Sequence, residues 1–311
     1  MRSMESLKIG GNPIVKIGEQ IGFKDADVHA VLEYKNPGGS HKDRPVKRMI
    51  EKGIETGEIQ EDTRIIEYTT GSAGISVARI CREIGLKATL VMPEDITEER
   101  EKLIIEAKAE LILSPRIEFV RGAIQKALEI REATPNSHLL NQSGNPENKN
   151  AFHDLGREIL AHFQDGRPID FVVIGAGTGA TAVGVGEILK AHSPHTKLIS
   201  IDESGYPTTL LFKQGVKKDF GESDHTLYGF SAGAVPPIIE HGIQFIDEIQ
   251  PVQAPQAYEV SRELMKKGIY VGPTSAANII VTRQILRKFP KARIVTVFFD
   301  KANRYRSVGL Y

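Results

Sequence analysis

Nine residues, NPGGSHKDR at 36–44, present a single lysine with unusual care. Pro37, Gly38 and Gly39 make a turn, Ser40 is placed to cap a helix, and Lys42 falls in that helix's first turn. An ammonium at the positive end of a helix dipole is unfavourable, and burial there lowers its pKa. An amine held in this way suits Schiff-base or general-base chemistry. An exposed lysine paired with Asp43 is the competing reading of the same segment.

Three further loops carry complementary groups. EYTTGSAG (67–74) offers the hydroxyls of Thr69, Thr70 and Ser72 beside the free amides of a helix start. That combination suits a carboxylate, or is simply a strand–helix turn with a capping serine. GAGTGAT (175–181) sets glycines between strand and helix, so that backbone amides can close on a phosphate. The same loop reads Gly175-x-Gly177-x-x-Ala180, with Asp202 ending the next strand, a spacing that also fits a dinucleotide site. GPTSAAN (272–278) brings Thr274 and Ser275 to a helix start, where one of the two is expected to cap.

The elements that must position these loops alternate. Strands are expected at 29–34, 64–68, 87–93, 109–115, 138–142, 171–177, 197–203 and 293–299. Helical patterns fall near 45–56, 74–84, 97–107, 119–132, 149–163 and 178–191, with a helix-rich part at 255–289. Such alternation implies parallel sheets with helices on both faces and ligands beyond the C-terminal strand ends. NQSGNPENKN (141–150) parts two such runs. Two lobes are therefore expected: a smaller, mobile substrate-binding lobe at 39–146, and a larger lobe of 1–38 with 147–311.

Among 311 residues, 40 basic side chains balance 40 acidic ones, so the chain lacks the basic excess of a nucleic-acid binder. EDITEEREK (94–102) reads as a solvated helix face. Cys81, the single cysteine, excludes an intramolecular disulfide and reads as a core residue of ISVARICREI. With nine scattered histidines it makes no metal-ligand cluster. MRSMESLKIGGN has no apolar signal core, and the longest uncharged run, 171–186, is too short for a membrane span. A cytoplasmic location and no membrane partner are expected.

Taken in order, these segments resemble the cysteine synthase/cystathionine β-synthase family of fold-type II enzymes dependent on pyridoxal phosphate (PLP). IGGNPIVKI (9–17) is similar to the family's IGNTPLV, and NPGGSHKDR to its NPxxSxKDR. EYTTGSAG stands where the family has TSGNTG, VMPEDITEER (91–100) where it has MPxxxSxER, and IGAGTGAT where it has GTGGT. GPTSAA matches GxSSGA, and FFDKANRY (298–305) matches PDxGxRY. The resemblance covers nearly the whole chain and implies an α/β fold of two three-layer αβα lobes with mostly parallel sheets. It implies that Lys42 holds PLP as a Schiff base and serves as catalytic base. Gly177, Thr178, Gly179, Ala180 and Thr181 would hold the phosphate, Ser72 would lie by the phenolic oxygen, and Thr274 would meet the pyridine nitrogen. Thr69, Thr70, Gly71, Ala73 and Gln142 would hold the substrate carboxylate. The implied activity is β-replacement on an O-activated serine through an α-aminoacrylate, giving L-cysteine or another β-substituted alanine. Its partners would be an amino-acid substrate and a small nucleophile, and the assembly a homodimer.

The chain departs from the family close to the substrate. Ser72 replaces an asparagine, Ala73 a threonine and Ala180 a phosphate-loop glycine, which requires negative φ at 180. The family's TTGPE reads DLGRE (154–158). These changes point to a specialised donor or nucleophile. A PLP dehydratase or β-elimination enzyme, and a PLP-binding regulatory paralogue with decayed catalysis, are the alternatives.

Overall fold

The computed structural model describes residues 2–4, 6–94, 97–221, 226–230 and 233–311. Strands and helices are numbered along the chain as β1–β10 and α1–α11. Among the described residues, a six-stranded sheet runs in the order β1 (Ile14–Lys16), β2 (Asp27–Val31), β10 (Arg293–Val297), β7 (Phe171–Val173), β8 (Lys197–Glu203), β9 (Glu248–Val252). Only β1 is antiparallel to its neighbour. A second sheet, wholly parallel, has the order β5 (Glu110–Ser114), β4 (Lys87–Pro93), β3 (Arg64–Tyr68), β6 (Ser137–Leu139).

The smaller sheet shows why its strands form. Successive side chains of a strand point to opposite faces. Ile65 and Leu90 pack with Val46, Met49 and Ile50 of α1 (Asp43–Glu55) and Val77 and Ile80 of α2 (Ser72–Ile84). Ile66, Tyr68 and Val91 turn the other way, onto Ala123 and Ala127 of α4 (Phe119–Ala133). Cys81 is buried in the first of these clusters, as expected of a core residue. The larger sheet has one continuous core, to which α6 (His153–His162), α7 (Ala180–His192), α10 (Ala254–Lys266) and α11 (Pro273–Lys288) contribute.

Some sequence expectations need correction. The strand expected at 29–34 ends at Val31, and Glu33–Lys35 form a 3-10 turn. The reason is electrostatic: Glu33 is fully buried and must turn inward to meet Arg44, whose Nε and Nη2 donate to its two oxygens at 2.8 Å each. The helix expected at 149–163 is two, α5 (Pro146–Asn150) and α6. Asn145 starts α5 by accepting the Glu147 N–H at 2.9 Å, with Pro146 in the first turn. Two strands, β9 and the three-residue β1, and the two six-residue helices at Thr208–Lys213 and Pro237–Gly242 escaped the sequence reading, because none stands out by periodicity from the loops around it. The remaining helices, α3 (Glu98–Glu106), α8 (Thr208–Lys213) and α9 (Pro237–Gly242), complete the set among the described residues.

Arg44 does more than shape the Glu33 turn. It also donates to Glu158 of α6, at 2.9 and 2.6 Å, so one buried guanidinium joins α1 to two elements of the larger sheet's layer. This gives the DLGRE segment its role: Glu158 is the far jaw of that clamp. Removing one partner of a buried charge network leaves the others desolvated and unpaired. Arg44→Ala should lower unfolding free energy by about 3–5 kcal/mol, read from urea midpoints at constant slope. Arg44→Lys should restore little, because one ammonium cannot serve two carboxylates through parallel bonds. A loss under about 1 kcal/mol would show that the clamp is dispensable.

Candidate active site

The loops that follow β2, β3 and β7, together with the start of α11, line one cleft between the two sheets. The residues that the resemblance assigned to cofactor and substrate all line it: Lys42, Thr69, Thr70, Gly71, Ser72, Ala73, Gln142, Gly177, Thr178, Gly179, Ala180, Thr181 and Thr274.

Lys42 immediately precedes α1, already in helical conformation (φ −68°, ψ −15°). Its own N–H donates to Ser40 Oγ at 3.3 Å, a turn contact before the helix; the N-cap position is Lys42 itself and not Ser40 as expected, because the helix begins one residue later, at Asp43. Asp43 does not neutralise it. That carboxylate is buried, accepting the Gly38 N–H at 2.5 Å on Oδ2 and the Ser76 hydroxyl at 2.5 Å on Oδ1. The reading of an exposed Lys42–Asp43 pair is thereby excluded. Asp43 instead locks the Pro-Gly-Gly turn to α2, which fixes where Lys42 points.

Lys42 is half-buried, and its residual exposure opens into the cleft. The enclosing walls desolvate the amine and push its pKa down to about 8, with the Glu67 carboxylate pulling the other way. Glu67, at the end of β3, is buried and pushed up to about 8 by the same desolvation. The N–H groups of Tyr68 (3.0 Å) and Gln142 (3.2 Å) hold its two oxygens. Glu67, whose carboxylate bears on the Lys42 amine, is a residue the sequence reading passed over. A lone carboxylate at the end of an apolar strand, RIIEY, was the available signal.

The loop after β7 is built for a bound group. A Cβ at Gly177 would fall 1.9 Å from the Gly229 carbonyl oxygen, so only glycine lets the two backbones approach. Gly179 has φ +80° and its position before α7 carries no side-chain cap. Among the described residues the first amides of that helix are left open, apart from a long 3.4 Å contact of the Ala180 N–H with Thr178 Oγ1. Ala180 lies within the helix and has no positive φ, so the replacement of a glycine there is sterically free. Asp202 is fully buried and accepts the Leu210 N–H at 2.9 Å. It is not presented to a ribose, which removes the dinucleotide reading.

Thr274 sits on the first turn of α11, buried and lining the cleft, and its hydroxyl has no hydrogen-bond partner among the described residues. Neither Thr274 nor Ser275 caps that helix, contrary to expectation; Ser275 Oγ accepts the Phe299 N–H at 2.9 Å, tying α11 to the end of β10. On the opposite wall Thr69 Oγ1 accepts the Gly71 N–H at 3.0 Å, and Gln142 Nε2 donates to the Tyr68 carbonyl at 3.0 Å.

The solvated-face reading of 94–102 fails at Arg100, which is almost fully buried against the rings of Tyr228 (5.2 Å) and Tyr305 (4.8 Å) and lines the cleft. Asp95 and Ile96 of that run lie outside the described residues.

The family model for pyridoxal-phosphate dependent enzymes matches residues 5–300. The chain belongs to that family. It is 37% identical to a cysteine synthase B of Campylobacter jejuni, over 97% of this chain and 96% of the relative. A cysteine synthase of Staphylococcus aureus is 37% identical over 97% and 95%. Among solved structures, an O-acetylserine dependent cystathionine β-synthase from Helicobacter pylori superposes with a TM-score of 0.88 at 30% identity, covering 100% of this chain and 99% of that one. These relatives place the chain in the cysteine synthase/cystathionine β-synthase branch. Its α/β architecture of parallel sheets is the fold-type II arrangement.

The amine should titrate accordingly. In cofactor-stripped protein, the rate at which an amine-reactive reagent labels Lys42, read by peptide mass spectrometry, should be half-maximal near pH 8 rather than near the ordinary 10.5. Glu67→Gln should move the midpoint lower still, because the carboxylate it removes favours the ammonium. A wild-type midpoint above about pH 10 would mean a solvated lysine.

Proposed function

We propose that the protein catalyses β-replacement on an O-activated serine, with PLP held on Lys42, yielding L-cysteine or a related β-substituted alanine. The observation that carries this reading is the convergence of the desolvated Lys42 amine, the 177–181 loop at the α7 N-terminus and the unpartnered Thr274 hydroxyl in one cleft.

The residues present fit the cofactor. The open amides of the 177–181 loop, backed by the helix dipole, suit its phosphate, with the Thr178 and Thr181 hydroxyls beside them. The Thr274 hydroxyl suits its ring nitrogen, and the Lys42 amine its aldehyde. When bound, PLP supplies a sink for the electron pair left at Cα and so allows the group on Cβ to depart.

The chain's own groups do the rest. Thr69, Thr70 and the amides after Gly71 receive the substrate carboxylate, and Gln142, anchored to the Tyr68 carbonyl, closes that cradle. Ala73 supplies backbone without the hydroxyl of its family counterpart. A Lys42 Nζ with a pKa near 8 is about half uncharged at mildly alkaline pH, where an ordinary lysine is almost wholly protonated, and so takes the α-proton as general base. The same nitrogen returns a proton to Cα after the nucleophile has added. Closure of a lobe at 39–146 over the carboxylate would exclude water and protect the reacting centre. Relatives of this kind support O-acetylserine as first donor to test and sulfide as first nucleophile. We further propose a cytoplasmic homodimer; among the described residues no helix is long and apolar enough to cross a membrane.

The protein loaded with PLP should change its visible spectrum on adding O-acetylserine, recover it with sulfide, and release cysteine. Lys42→Ala should lower turnover by at least about 10³-fold, a loss in the range seen when general-base and nucleophilic roles are removed together. Pyruvate and ammonia in place of cysteine would identify an eliminase, and a spectrum that ignores amino acids would favour a regulatory paralogue.

A further inference from the structure

Ser72 stands where the family carries an asparagine, and its surroundings give the replacement a physical logic. Arg304, in the 3-10 segment Ala302–Tyr305, donates from Nη1 to Ser72 Oγ at 2.6 Å. The same guanidinium donates from Nη2 to the Gly38 carbonyl of the lysine turn. Arg304 is 3% exposed, so neither bond competes with bulk water. Such a charge-assisted bond occupies one lone pair of Oγ and leaves the hydroxyl proton to be placed.

Among the described residues the proton has one side-chain acceptor within reach, Asp300 Oδ2, and it is poor. The separation is 3.5 Å, at the outer limit of a hydrogen bond, and that oxygen already accepts the Tyr305 hydroxyl at 2.8 Å. Ser72 lines the cleft, so the remaining direction for its O–H is into it. A hydroxyl that accepts from a buried cation is a stronger donor on its other side.

We infer that Arg304 is a positioning residue which aims and polarises the Ser72 hydroxyl as a hydrogen-bond donor to an anionic oxygen of the bound cofactor, the phenolic one. The two-link chain Arg304–Ser72 then does what a carboxamide N–H does directly in relatives with asparagine. This assignment rests on the proposed PLP reading. The charged and titratable groups that face Arg304 are Asp300 and Tyr305 beside it, Asp43 from α1 and Arg100 from α3. Asp43 is committed to Gly38 and Ser76, and Tyr305 to Asp300, so neither competes for the Ser72 proton.

The test uses the full-length protein titrated with PLP, reading affinity and the ratio of the long-wavelength ionised chromophore to its short-wavelength neutral form. Ser72→Ala should weaken binding about tenfold, equivalent to about 1.4 kcal/mol, and shift the ratio toward the neutral form, as expected when a hydrogen bond to a charged group is lost. Arg304→Gln should shift the ratio in the same direction, and Ser72→Ala/Arg304→Gln together should shift it no further than Ser72→Ala alone. Arg304 also grips Gly38, so its loss could disturb folding; Arg304→Gln is therefore repeated in a Ser72→Asn background. There the introduced amide donates unaided, and the ratio should hold steady whatever happens to the melting temperature.

A ratio unmoved by Ser72→Ala, or an Arg304→Gln shift as large in the Ser72→Asn background as in the otherwise wild-type chain, would overturn the assignment. A wild-type protein with no chromophore attached to Lys42 would overturn the cofactor reading instead, and the two failures are told apart by that control.

Discussion

Desolvation of one amine organises this molecule. An ammonium taken out of water is costly unless it is neutralised or paired. Lys42 is not paired with the aspartate beside it, and the carboxylate that bears on it, Glu67, is itself buried. Each group is pushed toward its neutral form, which makes a proton at that end of the cleft easily exchanged. Lys42 sits at the start of a helix from the smaller sheet's layer, yet the turn before it is held from both sides. Asp43 ties it to α2, while Arg304 and the Ser40–Asp300 bridge tie it to the end of β10.

The same pattern of buried cations spanning the two sheets recurs. Arg44 reaches Glu33 and Glu158; Arg304 reaches Ser72 and Gly38; Arg100 lies between Tyr228 and Tyr305. A cleft enzyme must let its lobes approach without letting them wander, and guanidinium groups suit that task because several donors in a fixed fork serve partners on different elements. Glu99 of α3 adds a lighter contact, accepting both the N–H and the hydroxyl of Ser307, at 2.8 and 2.7 Å. That strap is exposed and the guanidinium contacts are not. Breaking the Glu99–Ser307 strap therefore costs less than breaking the Arg44 cluster.

The parallel strands were legible wherever an apolar run was flanked by helical periodicity: β3, β4 and β8 fall at the boundaries read from sequence. The strand at 29–34 was misjudged at its end because Glu33 belongs to a tertiary ion pair that no local pattern announces. The four cleft loops were legible because glycine, proline and hydroxyl residues mark strand–helix turns whatever the fold. Arg100, Glu67 and Arg304 were harder to read. A charged residue in a helix or at a strand end looks solvated in sequence, and what makes these three different is which rings and carbonyls lie over them after folding. For the same reason the capping role expected of Thr274 or Ser275 failed. Ser275 is used across the sheet, on Phe299, and Thr274 is left free for the cleft.

On the proposed reading, the two ends of the cofactor ring would meet opposite treatment. At the nitrogen would stand Thr274, a neutral hydroxyl that cannot enforce protonation. A ring nitrogen held in this way would draw charge from Cα less deeply, which would favour departure of a group on Cβ. At the phenolic side stands a serine backed by an arginine, a side chain that keeps its charge even when buried. Serine in place of asparagine shortens the side chain there and enlarges the space beside Ala73, where the methyl and hydroxyl of a threonine are also missing. On the proposed reading, donor strength at the ring would be kept and room gained beside the substrate. The Gly38 contact alone gives Arg304 a place in the fold, so what bears on a change of substrate rather than a decay of catalysis is its second bond, to the hydroxyl that stands in place of the amide.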